Sequence, residues 1–95
     1  MKSLQIGPHT VPILVGPKEV SEGNLGECTC FPDPEIRLYS LGSQWSYTTL
    51  LHEAIHLISD FYDLNLPEPI VRALDQQITL LLRNNPQLTK GLLQK

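Results

Sequence analysis

Cysteine is scarce: Cys28 and Cys30 are the only two in 95 residues, and one residue separates them. A disulfide between positions so close is strained, and no second cysteine pair exists to complete a thiolate metal site. Both are expected to be reduced thiols in a loop, which suits a reducing compartment. Basic residues are also few, with 7 Lys and Arg against 10 Asp and Glu, a net charge of −3. The chain has no basic stripe and no helix-turn-helix pattern, so nucleic acid is not an expected partner. No apolar run approaches the roughly 18 residues of a membrane span. Residues 1–8 lack the apolar centre of a signal peptide. The expectation is a soluble, cytoplasmic protein without membrane contact. No internal repeat, low-complexity tract or linker interrupts the chain, and its length suits a single domain over residues 1–95. A composition of 41% hydrophobic and 18% charged residues is that of a globular protein. So short a chain buries a limited core, which a metal ion or an oligomer would reinforce.

Turn formers and leucines divide the chain. Residues 1–43 hold five of the six Gly and five of the eight Pro, whereas 12 of the 17 Leu follow residue 43. Turns and short strands are therefore expected first and helices second, an α+β arrangement. Strands are predicted at residues 3–6, 10–15 and 35–40, the last alternating Ile36 and Leu38 with Arg37 and Tyr39. Residues 18–34 carry Gly23, Gly26, Pro32 and Pro34 and read as loop, and the two prolines suggest that the third strand lies at a sheet edge.

A first helix is predicted over residues 43–62, with Ser43 as N-cap. Leu50, Leu51, Ala54, Ile55, Leu57, Ile58 and Phe61 fall on one side of it. Thr49, His52, Glu53, His56 and Asp60 fall on the other, with Trp45 near the histidines. A second helix follows Pro67, with Glu68 at its N-cap, Pro69 at its first position and an apolar stripe of Ile70, Val71, Leu74, Ile78, Leu81 and Leu82. Asn84, Asn85 and Pro86 end it, and residues 87–95 add a further turn. The leucines at 80–82, 88, 92 and 93 exceed what one helix face needs, so they belong either to the core or to a dimer contact.

The first helix carries the pattern His52-Glu53-x-x-His56. Residues four apart lie one turn apart on the same face, with Cβ atoms about 5–6 Å from each other. Two imidazoles so placed converge on one zinc ion at roughly 2.0–2.1 Å each. Glu53 lies about 100° further round the helix, beside the metal, where a carboxylate takes a proton from metal-bound water. A third ligand from another element completes the site best. Glu68, 12 residues after His56, is preferred. Asp75, on the same face of the second helix, is the alternative ligand or an outer group orienting a histidine. Asp60, one turn past His56, points parallel to the histidines and is a further alternative.

With the short strand at 36–40, the run from Thr49 to His56, Leu66-Pro67-Glu68-Pro69-Ile70-Val71 and the closing Leu81 to Pro86, the chain resembles the small zincin metallopeptidases of phages and bacteria related to the ImmA/IrrE group. It departs from them in the prolines on both sides of Glu68. The resemblance implies a minimal gluzincin-type zincin: a small antiparallel or mixed sheet packed on two or three helices, the motif lying on the first long one. It further implies a Zn²⁺ cofactor, with His52, His56 and Glu68 as ligands and Glu53 as general base. The implied function is metal-assisted hydrolysis of peptide bonds in a narrow protein or peptide substrate. In zincins the substrate adds as a strand at the sheet edge beside the motif helix, here expected to be residues 36–40. His9, Tyr39, Tyr47, Tyr62 and Arg72 are the available donors for an oxyanion. Two other readings compete: a non-enzymatic zincin-like module that docks a protein partner, and a structural protein with a coincidental motif.

Overall fold

The computed structural model describes residues 2–17, 25–40 and 46–94. Four strands, β1 (Ser3–Ile6), β2 (His9–Pro17), β3 (Gly26–Thr29) and β4 (Glu35–Ser40), precede three helices, α1 (Tyr47–Phe61), α2 (Glu68–Asn84) and α3 (Pro86–Leu92). The fold is α+β, as the division of turn formers and leucines implies.

The strands form one mixed sheet in the order β1-β2-β4-β3. A tight turn at Gly7, whose φ is +55°, joins β1 to β2 as an antiparallel pair; a residue without Cβ takes that conformation at little cost. β2 and β4 run parallel, with Ile13 opposite Ile36 and Val15 opposite Leu38. β3 runs antiparallel on the far side of β4, with Gly26 opposite Leu38 and Cys28 opposite Ile36.

Two expectations are corrected here. Residues 26–29 are a strand rather than loop. They alternate half-buried Gly26 and Cys28 with exposed Glu27 and Thr29, but four residues that include Gly carry little strand propensity. As a result β4 lies inside the sheet, and β3 forms the edge. The prolines that suggested an edge at β4 lie outside the strand, at residues 32 and 34.

α1 begins at Tyr47. Its N-cap is Ser46, whose hydroxyl accepts from the Thr48 N–H at 3.1 Å. Ser43 and Trp45 lie outside the described residues. Leu50, Ala54 and Leu57 enter the core against Ile6, Val11, Ile13, Ile36 and Leu38 of the sheet. This is the apolar side read from the sequence, except that Ile58 is exposed. α2 buries only Val71 and Asp75, and α3 buries no residue. Of the stripe expected on α2, Ile70, Leu74 and Leu81 are exposed, because α2 packs chiefly on α1. No described helix is long and apolar enough to cross a membrane.

Candidate metal centre

The helix period sets His52 and His56 on the same side of α1, with ring centroids 4.9 Å apart. The turn into α2 brings Glu68 over them. Ser59, buried near the end of α1, accepts the Leu66 N–H on its hydroxyl at 2.9 Å and the Leu64 N–H on its carbonyl at 2.8 Å. Asp63 and Asn65 take φ of 54°, a left-handed conformation that these two residue types tolerate. Pro67 is the N-cap and Pro69 lies in the first turn, so Glu68 is the first helical residue rather than the cap. The flanking prolines thus fix the entry of α2 with the Glu68 carboxylate turned to the histidines.

The Glu68 carboxylate spans both rings. Its Oε1 lies 2.6 Å from His52 Nε2 and its Oε2 lies 2.8 Å from His56 Nε2. One ligand atom from each of His52, His56 and Glu68 falls within 4.8 Å of the others. Ligands about 2.0–2.2 Å from one zinc-sized ion lie within roughly 4 Å of each other, so a small adjustment accommodates an ion. Two imidazole nitrogens and a carboxylate also form a donor set that first-row divalent metals accept. The motif and the acid 12 residues on therefore form one cluster that could hold a metal.

Asp75 takes the outer position. Its buried carboxylate meets His52 Nδ1, which leaves Nε2 of the same ring facing Glu68. An outer carboxylate of this kind fixes the orientation of a liganding imidazole. Asp60 lines the same cleft, but its carboxylate is outside the cluster.

Glu53 is buried on the β3 side of α1, at 6% exposure. Burial holds its carboxyl above the usual range, with Glu68 adding to the shift, while His52, the Cys28 thiol and His56 pull the other way. Burial first, then the charge of the Glu53 carboxylate, pushes the Cys28 thiol up to about 12. Both cysteines are free thiols, and Cys28 is a strand residue rather than a loop residue. Burial of the Glu68 carboxyl acts to raise it, but the hydrogen bond with His56 and the charges of His52, His56 and Arg72 outweigh that, so it sits below its usual value.

Gly26 sets the spacing between strand and helix. A Cβ there would lie 2.9 Å from Thr49 Cγ2, 3.2 Å from the Arg37 carbonyl oxygen and 3.4 Å from Glu53 Cγ. Gly26→Ala is accordingly expected to destabilise the fold by about 1–3 kcal/mol, as overpacking does, read from the urea unfolding midpoint. Gly26 and Cys28 were not anticipated as site residues; the alternation across residues 26–29 was the only available signal.

The cluster floors a cleft of about 890 Å³ between β3 and α2, walled also by Thr48, Thr49, Arg72 and Gln76. Among the proposed oxyanion donors, only Arg72 lines it. His9 stacks on Phe61 with centroids 4.0 Å apart. The Tyr39 hydroxyl donates to Glu27, and the Tyr62 hydroxyl stands at the Gly7 turn.

Comparison with protein-family models, curated proteins and solved structures gives no match to the chain.

Proposed function

We propose that the chain is a zinc-dependent metallopeptidase on a minimal zincin frame, hydrolysing peptide bonds of a narrow protein substrate. The observation that carries this reading is the convergence of His52, His56 and Glu68 beside the buried Glu53 carboxylate. His52, His56 and Glu68 would hold the ion. Zinc, when bound, supplies Lewis acidity toward the scissile carbonyl and lowers the pKa of water. Glu53 accepts the proton from the attacking water on its carboxylate and returns it to the leaving amine. Asp75 keeps the His52 ring in register. β3, last in the strand order, offers its outer backbone groups to an extended peptide. Such a peptide would lie over α1 between β3 and α2, with its scissile bond above the cluster.

Asp75→Asn keeps the shape of the buried side chain but not its charge. It is expected to weaken zinc binding by about 10–100-fold, measured by competition with a chelating indicator. The proposal itself is tested by incubating zinc-loaded protein with a mixed peptide library and reading products by mass spectrometry. Cleavage that a chelator removes and zinc restores supports it. Bound zinc without cleavage overturns it in favour of the docking-module reading. That second reading has an observation of its own, the exposed Leu80, Leu81, Leu88, Leu92 and Leu93 of the α2–α3 region.

A further inference from the structure

We infer that Arg72 supplies the positive charge that meets the oxyanion developing on the scissile carbonyl, from the wall of the cleft opposite Glu53. The inference rests on the peptidase reading. It starts from the distribution of charge around the cleft. Glu27, Glu53, Asp60, Glu68 and Asp75 line it, and Arg72 is the only Lys or Arg among the described residues that does. A tetrahedral anion formed among these carboxylates needs a cation or an oriented donor beyond the metal.

Placement agrees. Glu68, Arg72 and Gln76 follow one another at helical spacing on α2, and all three face the cleft. Arg72 Nη2 stands 3.9 Å from Glu68 Oε1, the oxygen that also meets His52. Glu53 is held on the other side, against Gly26 of β3. A reacting carbonyl over the cluster would thus have the proton acceptor on the β3 side and the guanidinium on the α2 side. The Arg72 side chain is 67% exposed, so it is free to swing from Glu68 toward a substrate. A guanidinium presents several N–H groups in one plane and suits an oxyanion better than a point charge.

The ordinary alternative is that Arg72 serves Glu68 alone, as a surface i,i+4 pair. The two roles separate in a binding experiment on the zinc-loaded protein. Dimethylphosphinate, a tetrahedral monoanion, is titrated by calorimetry into the wild type, Arg72→Ala and Arg72→Lys, after zinc affinity has been measured for each. The expected result is unchanged zinc affinity in all three. Probe affinity should fall at least about tenfold in Arg72→Ala, as for a lost charge-assisted hydrogen bond, and recover in part in Arg72→Lys. Equal probe affinity in wild type and Arg72→Ala overturns the inference while leaving the metal centre intact. A loss of zinc affinity in Arg72→Ala also overturns it, since Arg72 would then act through Glu68. A wild type that takes up no zinc removes the metal-centre reading itself, and the role of Arg72 with it.

Discussion

Glu53→Gln is expected to lower peptide hydrolysis by about 10²–10⁴-fold, the usual contribution of a positioned general base, while zinc affinity stays near the wild-type value. Both halves follow from where the side chain sits. Glu53 is buried against β3, and its carboxylate lies outside the His52, His56 and Glu68 cluster. The amide has the same size, so packing at Gly26 is kept. It has no basic oxygen to receive a proton from water. The burial that raises the Glu53 carboxyl also brings its basicity closer to that of the proton it must move. Single-turnover cleavage with zinc present measures the rate, and indicator competition measures the metal. Cleavage at the wild-type rate by the variant would remove Glu53 from the chemistry.

Zinc is expected to raise the thermal midpoint by about 10–20 °C. Free metal at one hundred times its dissociation constant stabilises the folded state by about 2.7 kcal/mol. In a domain of this size each kcal/mol moves the midpoint by roughly 4–8 °C. The structure accounts for why the effect falls on the whole domain. α2 is attached to α1 through few buried groups, Val71 and Asp75, and two of the three proposed ligands stand on α1 with the third on α2. An ion would cross-link the helices where their apolar contact is thin. Calorimetric scans of metal-free and zinc-loaded protein give the shift, and His52→Ala should abolish it. The variant also removes the group that meets the buried Asp75, so its metal-free midpoint is the proper reference.

Much of this arrangement was legible in the sequence, and the rest had physical reasons to be hidden. The helix period alone placed His52 and His56 on one face and Leu50, Ala54 and Leu57 on the other, since a 15-residue helix carries enough turns for the pattern to show. β3 was not legible, because four residues with Gly26 and Cys28 at the inward positions look like a turn. With β3 hidden in this way, the proline-flanked β4 looks like the sheet edge, a place that β3 takes. Glu68 and Asp75 were named together because they share a face of α2. Periodicity does not say which of them the chain turns toward His56. That is decided by the Ser59 hydrogen bonds and the left-handed Asp63 and Asn65. The prolines on both sides of Glu68 hold it at the start of α2. On α2 the stripe residues Ile70, Leu74 and Leu81 stay exposed, because an apolar period reports a face and not what covers it.

The most direct test is the zinc content of protein purified without an affinity tag, by elemental analysis after dialysis. About one equivalent per chain, lost in His52→Ala, is the expected result for a site whose ligands fold into place with the metal. Less than about a tenth of an equivalent, with no change in the thermal midpoint on adding zinc, would contradict the account.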